Sequence, residues 1–211
     1  MPPIYAQTRV PAFDERICRL AILGAAASGR AELRVVRTGS LRTKLYLEDG
    51  REQITGYYIG GDTVGLDGIV DKRYASEAVA LEDGEVCAVP FERLEGLAAA
   101  SVALQQNIRN VLAREIDRVR RHAMVLRGMT AEQRVANFLL DLSERYLRLG
   151  HAAEAFVLQL SRAEIGSHLG VKSETVCRIL ANMHSRGAIH VHRRRVSVRD
   201  ASLLSEMCTK R

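Results

Sequence analysis

Glu174 and Arg178 stand one helical turn apart in the run SETVCRIL, with Ser173 and Cys177 beside them, and these four side chains suit recognition chemistry. An arginine fork matches the O6 and N7 acceptors of guanine, and a carboxylate accepts from the N4 amino group of cytosine. A thiol is a weak donor that packs like a small hydrophobe, so Cys177 suits a thymine methyl better than a polar base edge. Ser167, Lys172, Ser185 and the triplet Arg193, Arg194 and Arg195 flank this group. Such side chains suit phosphate oxygens, which fix register on a duplex without reading its sequence. The plainer alternative is that Glu174 and Arg178 form a surface i, i+4 ion pair worth about 0.2–0.5 kcal/mol. Their setting favours base readout.

That setting is a charge concentration. From Ser161 to Arg199 there are eight Lys or Arg against Glu164 and Glu174, a balance of +6, equal to the formal net charge of the whole 211-residue chain. Residues 128–211 carry 13 basic and 8 acidic side chains, whereas residues 1–127 carry 18 and 17. Basic charge gathered on one segment suits a polyanion, because each neutralised phosphate releases condensed counterions.

The elements that must hold these side chains are legible from pattern. Ser161 and Glu164 form an S-x-x-E capping box, Ile165 and Leu169 give a short helix an inward face, and Gly170-Val171 makes a tight connection. A second helix then turns Val176, Ile179, Leu180 and Met183 inward and leaves Ser173, Glu174, Cys177 and Arg178 outside near its N-terminus. Two β-like runs follow around His190, His192 and the three arginines. This is a helix-turn-helix with a basic wing, whose second helix enters the major groove. His184, His190 and His192 lack the cysteine or carboxylate spacing of a metal site and are expected to be surface histidines.

Upstream, Ser101–Arg127 contains neither Gly nor Pro, and Leu104, Ile108, Val111, Leu112, Ile116, Val119, Ala123 and Leu126 recur at three- and four-residue steps. One long helix is predicted, whose apolar stripe needs a partner. The β domain or a second copy of the helix can supply it; the spacing near 3.5 residues and a two-fold DNA site favour pairing of copies. Gly128-Met129 ends that helix, and the T-x-x-Q box of Thr130 and Gln133 begins the next. Before it, residues 31–100 read as short strands separated by Thr-Gly-Ser, Asp-Gly and Gly-Gly-Asp, ending in a helical PFERLEGLAAA. The predicted order is a helical segment over 1–30, a β-roll over 31–100, a dimerisation helix over 101–127 and a winged helix-turn-helix over 128–211. The fold class is α+β.

Composition excludes other classes. No run of about 18 apolar residues is present to span a bilayer, and the first residues, MPPIYAQTRVPAFDER, lack a secretory signal pattern, so a cytoplasmic protein with reduced thiols is expected. Cys18, Cys87, Cys177 and Cys208 include no C-x-x-C pair, which argues against a zinc ribbon. No G-x-S-x-G, P-loop, H-E-x-x-H or dinucleotide fingerprint occurs, which excludes the common enzyme signatures.

On the segments EQITGYYIGGDTVGLDGI, ALEDGEVCAVPFERL and LSRAEIGSHLGVKSETVCRIL the chain resembles the CRP/FNR family of bacterial transcription regulators, and within it the FNR branch, over about Glu32 to Asp200. The resemblance implies a homodimer on a two-fold site, with Glu174 and Arg178 where the family reads the TGA core of each half-site. Cys177 departs from the Ser or Gly found there in relatives. The region from Gly50 to Gly60 resembles a surface through which FNR-type activators meet RNA polymerase. Cys87 matches the β-domain cysteine of cluster-binding relatives, but the N-terminal cysteine cluster is missing, so no iron-sulfur cluster is expected. Glu77 falls where cyclic-nucleotide binders place their phosphate-binding Arg, and Arg73 fits that role only with a local shift, so cAMP is not expected either. Where the family usually places two more strands this chain has FDERICRLAILGAAASGRA, so either the roll is shortened or another segment completes it, and a sheet edge exposed by their loss is one that a partner chain or the N-terminal helix would cover. Dimerisation is therefore expected to be constitutive, or controlled by something other than a cluster or cAMP. The alternative function is a signalling module whose β domain binds an effector and whose C-terminal domain mainly contacts protein.

Overall fold

A computed structural model of the chain describes residues 32–150 and 155–209. The helical segment expected over residues 1–30, Cys18 and the question of a shortened roll lie outside the described residues. The chain divides into two compact units, one ending at Val119 and the other beginning at Arg120.

In the first unit, strands form where β-branched and aromatic residues cluster between turn signals. They are β1 (Glu32–Thr38), β2 (Ser40–Tyr46), β3 (Glu52–Ile59), β4 (Thr63–Val64), β5 (Glu77–Ala80) and β6 (Glu85–Pro90). They make two antiparallel sheets, ordered β4-β1-β6 and β3-β2-β5. One apolar residue from each strand closes the space between them: Val36, Val64 and Val86 from the first sheet, Leu41, Tyr58 and Ala78 from the second. Fully burying a valine or leucine side chain contributes about 1.5–3 kcal/mol. Leu33 and Val89 project to the opposite face of the first sheet, where α1 (Phe91–Ala99) covers them with Phe91 and Leu94.

The long helix α2 runs from Val102 to Gly128. Its eight-residue stripe splits between two destinations. Leu104 and Ile108 pack on the Leu33, Val89, Phe91 and Leu94 cluster, and Val111 lines the same apolar hollow. Ile116 and Val119 are 52% and 56% exposed. The expected single seam is thus corrected: its first three residues belong to the β unit, because a heptad-like pattern specifies an apolar face but not which surface covers it.

In the second unit α3 (Ala131–Arg148) starts at the predicted Thr130 and Gln133 capping box, both reciprocal bonds being present. Its buried stripe runs through Val135, Ala136, Phe138, Leu139 and Leu142, and α6 (Ala201–Thr209) adds buried Leu204 and Met207. No helix among the described residues is long and apolar enough to cross a membrane.

Candidate nucleic-acid interface

Helix α4 (Arg162–Leu169) is capped by Ser161, whose hydroxyl accepts from the Glu164 amide at 3.2 Å while the Glu164 carboxylate takes the Ser161 amide at 2.7 Å. It ends at Gly170, whose φ of 65° lies in the left-handed region that glycine reaches without a Cβ penalty. Three residues later α5 (Ser173–Ser185) begins, with Ile165 and Leu169 of α4 buried alongside Val176, Ile179, Leu180 and Met183 of α5. The tight approach needs Gly166 as well: a Cβ there would meet the Val171 carbonyl at 2.5 Å.

The outer surface of α5 carries the predicted group. Glu174, Cys177 and Arg178 are exposed and Ser173 is half-buried, while Lys172 occupies the N-cap. No ion pair joins Glu174 to Arg178 among the described residues, so both polar ends remain in solvent. The first amides of α5 have no side-chain cap, leaving donors and the positive end of the helix dipole beside Lys172. Ser185 ends the same helix, about 18 Å from Ser173 at 1.5 Å per residue, and its hydroxyl donates to the Asn182 carbonyl at 2.9 Å. Ser167 is half-buried on α4. The structure therefore gathers Lys172, Ser173, Glu174, Cys177 and Arg178, and sets Ser185 apart at the other end.

The wing is a three-stranded sheet in the order β7-β9-β8, formed by β7 (Ala155–Val157), β8 (Ile189–His192) and β9 (Arg195–Val198). Arg193 and Arg194 make its turn, with Arg193 at a φ of 56°, and all three predicted arginines are exposed. His184 links α5 to this sheet: its Nδ1 accepts from the Val191 amide at 3.2 Å, and its ring lies 4.9 Å from that of His190.

Two positioning residues escape a reading by pattern. Arg162 donates from Nη2 to the Arg193 carbonyl at 2.9 Å, bracing the wing turn from α4. Burial lowers its pKa from the ordinary guanidinium value, Cys177 opposes that, and Arg194 adds to it. Arg134 of α3 donates to the carbonyls of Leu126, Met129 and Leu169 at 2.6, 3.0 and 3.0 Å, tying the ends of α2 and α4 together. Neither contact has a local sequence signal, since each joins a side chain to a distant carbonyl left over in the wing turn or at a helix end; Gly166 did have one, as a glycine inside a helix.

Comparison with known proteins gives a consistent picture. Residues 133–207 match the Crp-like helix-turn-helix domain, and residues 24–101 match the cyclic nucleotide-binding domain. A transcriptional regulatory protein of Bordetella pertussis is 41% identical over 172 residues, covering 82% of this chain and 71% of that protein. The transcriptional activator protein FnrA of Stutzerimonas stutzeri is 37% identical, with 79% and 68% covered. Among solved structures, FixK2 from Bradyrhizobium japonicum aligns over 94% of both chains with a TM-score of 0.79 at 29% identity. A CRP-family regulator of Thermus thermophilus shares the fold at 22% identity, with a TM-score of 0.72 over 93% of this chain and 97% of that one.

Proposed function

The chain belongs to the CRP/FNR family of DNA-binding transcription regulators, which are not enzymes, and from that premise we propose that it acts as a cytoplasmic homodimer on a two-fold site with TGA-containing half-sites. The observation that carries the reading is the row of exposed Glu174, Cys177 and Arg178 with half-buried Ser173 at the first turns of α5, and Lys172 beside it. A groove-inserted helix reads bases with its N-terminal residues, and the flanking cations hold the backbone. Glu174 and Arg178 take the base contacts, with Ser173 and Cys177 at the neighbouring edges. Ser167, Lys172, Ser185, Arg193, Arg194 and Arg195 take phosphates.

The second copy pairs through Leu112, Ile116, Val119, Ala123 and Leu126, whose 4-3-4-3 spacing fits a two-stranded seam. Support comes from the exposure of Ile116 and Val119, two large apolar side chains one turn apart on α2. The β2–β3 hairpin, with exposed Tyr46 and Leu47 next to the Gly50–Gly60 region, is the surface offered to RNA polymerase.

In the same reading the roll takes neither cAMP nor an iron-sulfur cluster. The Asp67 carboxylate already accepts from the Ala75 and Ser76 amides at 3.1 and 2.9 Å and from the Ser76 hydroxyl at 2.8 Å, occupying loop donors suited to a phosphate. Glu77 is engaged by the Tyr46 hydroxyl at 2.8 Å and the Lys44 ammonium at 3.5 Å, and would repel an anion. Cys87 packs against Leu33, Val89, Phe91 and Leu94, side chains that do not ligate iron.

Selection of bound sequences from a random duplex pool tests the proposal. Enrichment of an inverted repeat of TGA cores about one helical turn apart is the expected result. Enrichment of single, unpaired cores overturns the homodimer, and no enrichment overturns base readout.

A further inference from the structure

We propose that Arg118 is a positioning residue, through which Tyr58 in the interior of the roll fixes the rotation of α2 and so turns Ile116 and Val119 outward for pairing. Tyr58 is 8% exposed and belongs to the cluster between the two sheets. Its ring lies close along β3 because residue 56 is glycine; a Cβ there would come within 2.5 Å of the ring. The Tyr58 hydroxyl accepts from Arg118 Nη2 at 2.7 Å, and the guanidinium lies over the same ring, 4.4 Å from its centre. One turn earlier Glu115 takes the Arg118 Nε at 2.9 Å and Nη2 at 2.5 Å. Burial opposes the charge on Arg118, but Glu115 and Tyr58 more than offset it, and the guanidinium stays charged.

The positions along α2 give this contact its consequence. Leu104, Ile108, Val111, Glu115 and Arg118 follow one another in steps of four and three, forming a single face, and Leu104 and Ile108 are packed on the roll. The apolar part of that face is held by non-directional burial, which tolerates a few degrees of rotation. A charged fork bonded to one hydroxyl and one carboxylate is directional and does not. Val119 is the next residue after Arg118 on a rigid helix, about 100° further round at 3.6 residues per turn. Whatever sets the angle of Arg118 therefore sets the angle of Val119. The clamp rests on the homodimer reading above.

Sedimentation equilibrium of the full chain tests it, comparing wild type with Arg118→Met, Arg118→Lys and Tyr58→Phe, with far-UV circular dichroism as the check on folding. Arg118→Met is expected to raise the dimer dissociation constant about tenfold or more, the size of losing a charge-assisted hydrogen bond, and Tyr58→Phe to raise it less. Arg118→Lys restores part of the loss. Joining two Arg118→Met chains by a flexible linker returns DNA affinity to the wild-type level, because pairing becomes intramolecular. If wild type dimerises and both Arg118→Met and Tyr58→Phe dimerise equally well, the clamp is overturned. If Arg118→Met does not fold, Tyr58→Phe decides alone, since it deletes one hydroxyl: an unchanged dissociation constant rejects the proposal. A wild-type chain that stays monomeric at tens of micromolar, a range of ordinary working concentrations, rejects the homodimer instead.

Discussion

Arg162 at the start of α4 holds Arg193 at the tip of the wing, its Nη2 donating to the Arg193 carbonyl at 2.9 Å. The turn is gripped from the other side by the Leu158 amide, which donates to the Arg194 carbonyl at 2.8 Å. A wing carrying three exposed arginines is thus fixed relative to the helix-turn-helix rather than free to sample the groove. Replacing Arg162 with Met should free the turn and weaken binding to specific and random duplexes by the same factor, since the wing is assigned to phosphates. Competition assays on the two kinds of duplex decide this; a loss confined to the specific site would make Arg162 a base-reading residue.

Arg178 and the wing are expected to fail differently. Arg178→Ala should cost about 1–3 kcal/mol at the preferred site and relax preference at one guanine. Changing Arg193, Arg194 and Arg195 together to Ala should leave the preferred sequence unchanged and flatten the salt dependence, by up to about 0.9 in logarithmic slope for each phosphate no longer neutralised. Titrations at several salt concentrations against matched and mismatched duplexes separate the two, and identical profiles would contradict the assignment.

The glycines of two helices should respond in opposite senses. At Gly166 a Cβ would lie 2.5 Å from the Val171 carbonyl, which belongs to the connection that orients α5. Gly166→Ala must push α4 and α5 apart, at a cost of about 1–3 kcal/mol of stability, with loss of DNA binding. At Gly96, exposed in α1, the added methyl meets nothing within 4 Å, and Gly96→Ala should stabilise by about 0.5–1 kcal/mol. Thermal denaturation of both variants is the measurement. Equal effects would mean that α4 does not approach its turn as closely as described.

The contrast between these sites shows what sequence can carry. Both capping boxes, Thr130 with Gln133 and Ser161 with Glu164, were legible because their partners lie three residues apart and obey a local rule. The inward residues of α5 were legible for the same reason, being a periodic pattern on one helix. The split of the α2 stripe was not, because Leu104 and Ile116 look alike until the surface that covers Leu104 has folded. Nor was Lys44, a buried lysine on β2. A register irregularity between Thr43 and Lys44 brings it opposite Ile54, and its charge is met by Glu52 and Glu77 from neighbouring strands. Pairings of this kind depend on strand register, which no short window of sequence fixes.

That lysine gives the roll an acid-sensitive element. Glu52 bonds the Lys44 ammonium at 2.7 Å, and this hydrogen bond holds its carboxyl below the usual glutamate value against the opposing effect of desolvation. The same bond holds Lys44 above the usual lysine value, so the lysine stays charged throughout the acid range. A lowered carboxyl contributes stability above its ordinary value of about 4.3, and that contribution disappears as pH falls through the lowered value. The urea midpoint of wild type should therefore exceed that of Glu52→Gln at pH 7, with the gap closing below about pH 4. A gap that shows no narrowing as the pH falls below glutamate's ordinary value would assign the difference to something other than this pair.

The cysteines offer a direct footprint of the interface. Cys177 is exposed on the outer face of α5, whereas Cys208 is half-buried in α6, with its sulfur 3.6 Å from the Leu204 carbonyl, and burial raises its thiol pKa. Thiolate is the reactive form, so a neutral thiol reagent should modify Cys177 well before Cys208 at pH 8. Adding the preferred duplex should slow modification at Cys177 and leave Cys208 unchanged, because only the first lies among the residues assigned to bases. Peptide mapping after a short exposure gives the rate at each site. Protection of both cysteines would indicate a global tightening on binding, and protection of neither would place the duplex away from α5. The experiment thus examines the position of the reading helix without altering any residue in it.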